Sequence, residues 1–202
     1  MTYIDDYVRG AMEAIAIVDK SRLEEIVRTF EVVRGTGGRV FVIGNGGGAA
    51  NATHFVSDLR KLCHVQAFNA TDNVAELTAR ANDDGWEHAY ADWLAGSGID
   101  QADLLFVFSV GGGNREENLS MNLVRAIELA QVRGATVSGI VGPGGGYAAQ
   151  ASRLVLKTPP VAADLVTLLT ESLQVLVSHL IVGHPALKAQ ALTWESRVGQ
   201  SR

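Results

Sequence analysis

Three times along this 202-residue chain a largely apolar, strand-like run breaks into glycine. RVFVIG (39–44) leads into Asn45, Gly46, Gly47 and Gly48, and LLFVFS (104–109) leads into Gly111, Gly112 and Gly113. ATVSGIVG (135–142) leads into Pro143 and then Gly144, Gly145 and Gly146. A strand that is apolar throughout, rather than at every second residue, is covered on both faces. The stretches between these runs carry apolar residues at helical spacing, so strands alternate with helices. That alternation predicts an α/β fold: a doubly wound parallel sheet with helices on both faces.

The remaining elements follow from the same periodicities. Residues 5–34 read as one or two helices, stopped by Gly35, Gly37 and Gly38, and form an N-terminal helical extension. Further helices are expected near 49–62, 72–81, 86–94 and up to 133, where Gly134 closes the last of them. Strands are expected at 65–70 and 152–159, and a long apolar helix at 161–182. The segmentation is 1–36 for the helical segment, 37–185 for the sheet domain and 186–202 for a polar tail that docks on a neighbour. A hydrophobic content of 47% is enough for one sizeable core.

Charge and cysteine usage narrow the function classes. The net charge is −5 with no basic patch, which argues against a nucleic-acid partner. The single Cys63 excludes an intrachain disulfide framework and reads as a packed thiol of a cytoplasmic protein. The opening MTYIDDYVRG has early acids and no apolar core, so no secretory leader is expected. No stretch approaches the roughly 20 uninterrupted apolar residues of a membrane span.

The glycine turns point to an anionic ligand. In open parallel sheets, ligands bind beyond the carboxyl ends of the strands. Glycine allows backbone amides to approach an anion, and the following helix offers free N–H groups and a positive dipole end. The first turn, GNGGG, is neither the G-x-G-x-x-G fingerprint nor a P-loop, so no nucleotide cofactor is expected and a smaller phosphorylated ligand fits better. Each turn taken alone is equally explained as a tight strand–helix connection.

Two pairs of titratable residues stand out. His54 and Asp58 lie four apart in one helix and share a face. Glu171 and His179 lie eight apart in the long helix, roughly 12 Å of rise. His–carboxylate sets of this kind hold zinc or a similar divalent ion, or act as acid and base without one. His179 sits in LQVLVSHLIV, an apolar stretch that predicts burial. Each of these residues also has an ordinary structural reading as a surface pair, a solvated acid or a satisfied buried histidine.

The segments VFVIGNGGGAANATHFVSDLRK, TDNVAELTARANDDGWEHAYADWL, ADLLFVFSVGGGN and ESLQVLVSHLIVGHP together resemble the sugar-isomerase (SIS) family, and within it the phosphoheptose isomerases. The resemblance covers about residues 3–185 and implies a flavodoxin-like sheet and an aldose–ketose isomerase acting on sedoheptulose 7-phosphate. It further implies a homotetramer with active sites at subunit interfaces. Phosphate-binding turns correspond to Asn45, Gly46, Gly47 and Gly48, and to Ser109, Gly111, Gly112, Gly113, Asn114 and Ser120. Asn82 and Asp83 match an Asn–Asp near the substrate. The catalytic and metal-binding set corresponds to His54, Asp58, Glu171 and His179, with zinc as the candidate ion.

Departures from the family pattern are specific. The usual Ser after the two glycines is Gly48, the usual Glu is Asp58, and the usual Gln is Glu171. The second turn carries an insertion and retains only Ser109 and Ser120 as hydroxyls. Isomerisation needs a base for the carbon-bound proton and an acid for the carbonyl oxygen. Asp58 or Glu171 takes the first role, His179 the second, and His54 orients the oxygens or ligates the metal. Arg60 and Lys61 follow the site and are candidates for added charge. Two alternatives stay open: an octose or other sugar-phosphate isomerase of a specialised pathway, and a non-catalytic phosphosugar-binding or assembly protein.

Overall fold

The computed structural model describes residues 2–194 and 196. Five strands form one parallel sheet: β1 (Arg39–Gly44), β2 (Gln66–Asn69), β3 (Leu104–Ser109), β4 (Thr136–Val141) and β5 (Val155–Lys157), in the order β2-β1-β3-β4-β5. This is the flavodoxin-like order, whose switch point lies between β1 and β3. There the chain leaves β1 toward one edge and β3 toward the other, opening a crevice at their carboxyl ends. Their register pairs Val40 with Leu104 and Gly44 with Phe108.

Both faces of the sheet are covered, as the uninterrupted apolar runs require. On one side lie α2 (Lys20–Thr36), α3 (Gly47–Cys63) and α8 (Val166–Gly183). Phe30, Phe55, Leu59, Val177 and Ile181 from these helices pack on Val40, Val42 and Phe106. On the other side α5 (Ala89–Gly96), α6 (Met121–Val132) and the short α7 (Gly146–Ala151) set Tyr90, Leu94, Ile127 and Ala148 against Phe41, Ile43, Leu105 and Val107. Successive residues of β1 thus serve opposite cores, the period-2 rule of a strand.

The N-terminal helical segment is two helices, α1 (Tyr3–Ala16) and α2, because Asp19 caps a fresh start by accepting from the Arg22 amide at 2.9 Å. Gly37, in left-handed backbone, ends α2. Leu23, Ile26 and Phe30 of α2 are buried in the same core as the sheet. α4 (Val74–Asp83) follows β2. The turn expected after β4 contains α7, whose six residues are too few to show a helical period. The strand expected at 152–159 shortens to β5, because Ser152 closes α7 and Pro159 and Pro160 follow. Among the described residues, the stretch Ala163–Gly183 containing α8 is long and apolar enough to cross a membrane, and half of its most apolar window is buried inside the fold.

The tail expected to dock on a neighbour folds back on its own chain. Ala189 N–H donates to the Leu62 carbonyl at 2.8 Å, and Arg34 Nη1 reaches the Cys63 and Leu187 carbonyls at 3.1 and 2.6 Å. Leu187 is fully buried. Residues 195 and 197–202 lie outside the described residues.

Candidate active site

α3 and α8 run beside each other, and their facing sides bring three of the four expected residues together. His54 Nε2 lies 3.3 Å from Asp58 Oδ2, one helical turn on. His179 Nε2, from α8, lies 3.7 Å from the same oxygen. The two imidazoles meet edge to face with centroids 5.1 Å apart. One ligand atom from each of His54, Asp58 and His179 falls within 4.8 Å of the other two. The cluster opens into a cavity of about 430 Å³ walled also by Leu62, Val182, Gly183 and Leu192. Leu192 comes from the folded-back tail, outside every motif the sequence displays.

His179 is not buried: its side chain is 53% exposed, as is that of His54, while Asp58 is 18% exposed. The apolar neighbourhood of His179 in sequence misleads because α8 buries Val177, Ser178, Ile181 and Val182 on one face and turns His179 to the other. Exposed imidazoles beside a half-sheltered carboxylate leave room for a ligand.

Glu171 does not join the cluster, so the expected four-residue set reduces to three. Eight residues of α8 separate it from His179, roughly 12 Å of rise, and the structure does not lean the two side chains together. Its carboxylate lies instead against Gly47, the first residue of α3, where a Cβ would collide with it.

The glycine turns sit at the carboxyl edge beside the switch point. Gly46 has φ +54°, which favours glycine, and a Cβ at Gly48 would stand 2.8 Å from the Phe108 carbonyl oxygen. A serine at 48 therefore has no place without a shift of α3 away from β3. In the second turn Ser109 Oγ accepts from the Gly112 amide at 2.9 Å, so one of its two hydroxyls serves the turn itself. Ser120, in left-handed backbone at the N-terminus of α6, is exposed and makes no capping hydrogen bond. The inserted residues form a small hairpin in which Asn114 Oδ1 accepts from the Glu116 and Glu117 amides at 2.9 and 3.1 Å.

Asn82 and Asp83 end α4, exposed and hydrogen-bonded to each other at 2.7 Å; they make no hydrogen bond to the cluster or the glycine turns among the described residues. Arg60 and Lys61 line a separate depression with Thr53, Ser57 and Asp72, so they do not add charge to the cluster.

Three residues that sequence reading passed over, Asn122, Tyr90 and Gln174, hold this edge together with Asn45. Asn45 and Asn122 exchange amide hydrogen bonds of 3.1 and 2.8 Å across the switch point. Tyr90 O–H donates to the Gly44 carbonyl at 2.6 Å, and burial pushes this phenol up to about 12. Gln174, fully buried, donates to the Ser109 and Ile140 carbonyls at 3.3 and 3.1 Å and accepts from Asn51 at 2.9 Å. A lone amide inside the apolar run of α8 was the available signal, since a buried polar group must be paired.

No family model matches the chain. Individual proteins do. The chain is 36% identical over 155 residues to the lincomycin biosynthesis protein LmbN of Streptomyces lincolnensis, a match that covers 73% of this chain but only 56% of LmbN. It is 31% identical over 153 residues to the phosphoheptose isomerase of Rhodospirillum rubrum, covering 73% of each. Among solved structures, phosphoheptose isomerase GmhA from Neisseria gonorrhoeae shares the fold with a TM-score of 0.76 at 23% identity, over 90% of this chain and 94% of that one.

Proposed function

The chain belongs to the phosphoheptose isomerase family, and on that premise we propose that it is an aldose–ketose isomerase converting sedoheptulose 7-phosphate to an aldoheptose 7-phosphate. The observation that carries this reading is the meeting of His54, Asp58 and His179 on α3 and α8, with glycine turns at the sheet edge nearby. From Gly47 to His54 is seven residues, about 10 Å along α3. An open-chain sugar that anchors its phosphate at the edge reaches the cluster with its carbonyl end.

In the ketose-to-aldose direction, Asp58 takes a proton from C1 while His179 gives a proton to the C2 carbonyl oxygen, forming the enediol. The return of a proton to C2 and the loss of one from O1 complete the aldehyde. His54, at 3.3 Å, holds Asp58 in place. Each proton transfer contributes on the order of 10²–10⁴ in rate. Glu171, two turns from His179, takes no part in these transfers.

Two imidazoles and a carboxylate on adjacent helices are the donor types that zinc prefers, and three protein ligands leave a position free. His54, Asp58 and His179 would hold such an ion, which when bound supplies polarisation of the substrate carbonyl.

The homotetramer implied by the family resemblance is supported by the exposed apolar side chains of α1 (Ile4, Val8, Met12, Ile15) and of α8 (Leu168, Leu176, Leu180). The cytoplasm, where Cys63 stays reduced, suits this reading. Residues 37–185 are the sugar-phosphate domain, with 1–36 and 186–202 as flanking segments. The match to LmbN favours a second reading, the same chemistry on an octose or other sugar phosphate of a specialised biosynthetic pathway.

The test is NMR observation of an aldose product from sedoheptulose 7-phosphate, beside a panel of hexose and octose phosphates, with and without a chelator. His179→Ala is expected to lower kcat by about 100-fold or more with the fold retained. Turnover of the variant at the parent's rate refutes the assignment of His179, and no turnover of any panel member by the parent refutes the isomerase reading.

A further inference from the structure

α8 ends at Gly183 because Pro185 cannot continue it, and His184 before the proline is extended at φ −63°, ψ 133°. The chain then turns back across the foot of α3. The last carbonyls of a helix have no partner within it. Here residues 184–192 and α2 supply partners. Ala189 N–H donates to the Leu62 carbonyl at 2.8 Å, the Gln190 side-chain amide donates to the Lys61 carbonyl, and Arg34 donates to the Cys63 carbonyl at 3.1 Å. Arg34 also donates to the Leu187 and Ala186 carbonyls at 2.6 and 3.1 Å, and Leu187 is buried in the core. The segment is therefore a fixed strap. It delivers Leu192 to the wall of the cavity that holds His54, Asp58 and His179.

The place of that wall follows from how α3 and α8 run. Asn51 meets Glu171 and Gln174, His54 meets His179, and Cys63 Sγ donates to the Val182 carbonyl at 3.5 Å. Both helices thus descend from the sheet edge in the same direction. The first glycine turn stands at the head of α3, and the cluster lies about 10 Å lower. Leu62 follows Asp58 by a further turn, and with Val182, Gly183 and Leu192 it forms a floor whose side chains offer no hydrogen bond.

We propose that Leu192 is a specificity-determining residue: it closes the lower end of the site and so sets how many carbons fit between the phosphate at the sheet edge and the free end of the open-chain sugar. The reacting carbons, C1 and C2, are the last two of that chain. An extra carbon either drives the C1 hydroxyl into the apolar floor, where it would be buried unpaired, or lifts C1 away from Asp58. This inference rests on the sugar-phosphate reading for its ligand class, but its test does not need turnover.

The probes are alditol phosphates of five to nine carbons, which carry a phosphate at one end and no carbonyl, so they bind without reacting. Their affinities for the full-length protein are measured by calorimetry. The parent is expected to prefer one length and to bind the next longer chain about tenfold more weakly, the lower range for one methylene in an apolar pocket. Leu192→Ala is expected to remove most of that penalty, and Leu192→Phe to move the preference one carbon shorter. Either variant decides the matter if the other fails to fold. Equal affinities along the series in the parent overturn the proposal. So do variants with the parent's length profile, and the lack of binding of any probe. Isomerisation by the parent, with an unchanged profile in the variants, removes the role of Leu192 and leaves the isomerase reading standing. The expected profiles without turnover of any sugar phosphate do the reverse.

Discussion

Replacing Gln174 by Leu tests how α8 is held over the sheet edge. The amide makes three hydrogen bonds in a fully buried setting, to Ser109, Ile140 and Asn51. Leu has similar volume and removes all three, each contributing about 1 kcal/mol net. Part of the loss is offset, because the Ser109 carbonyl still accepts from the Gly142 amide and Asn51 still reaches the Glu171 carbonyl. The expected cost is therefore about 2–3 kcal/mol, a fall in Tm of about 4–12 °C for a chain of this size. The same change loosens the stretch of α8 that carries Glu171 and, further along, His179. A displacement of the reacting groups on the order of 1 Å costs about 100-fold in rate. Thermal melting by circular dichroism and kcat on the sugar phosphate measure the two effects. A variant that melts within about 2 °C of the parent and keeps kcat within about twofold refutes the idea that this amide positions α8.

Other expectations concern the opposite end of the sheet and the lone thiol. Asp103, 2% exposed, accepts from the Arg39 amide at 2.8 Å, from its Nε at 3.1 Å and from its Nη2 at 2.6 Å. Asp103→Ala strands this guanidinium, which keeps only the Ser97 and Gly98 carbonyls, and is expected to lower stability by about 2–4 kcal/mol in urea unfolding while leaving KM unchanged. Burial pushes the Cys63 thiol up to about 11. At pH 8 about one molecule in a thousand carries the thiolate, so the native protein is expected to resist a thiol reagent that reacts at once after unfolding. Labelling of native Cys63 should quicken as the pH rises toward 11; fast labelling at pH 8 contradicts its packing.

Much of the framework was legible before any coordinates. Residues 40–43 and 104–108 are apolar at every position, and they appear in the two strands at the switch point, buried on both sides. Their glycine turns mark the carboxyl edge. His54 and Asp58 share a face because four residues make about one turn. What misled was any inference that depended on helical phase against an unseen partner. His179 looked buried because its neighbours in sequence are apolar, but it meets His54 and Asp58 of α3 at the open margin of the packed face of α8 and stays half exposed. Glu171, read as a fourth member of the set two turns before His179, has its carboxylate against Gly47 instead.

Local pattern alone determined the order of the strands and of the helices other than α7, the position of the glycine turns and the pairing of His54 with Asp58, because these depend on neighbours within a few residues. The tertiary structure decided that His179 completes that pair, that Glu171 stands at the head of α3, and that Gln174 and the Asn45–Asn122 amides bind the edge together. Those contacts join residues up to about 120 positions apart. Side chains so distant in sequence meet only when two hydrophobic faces choose each other in packing, and no short-range periodicity records that choice.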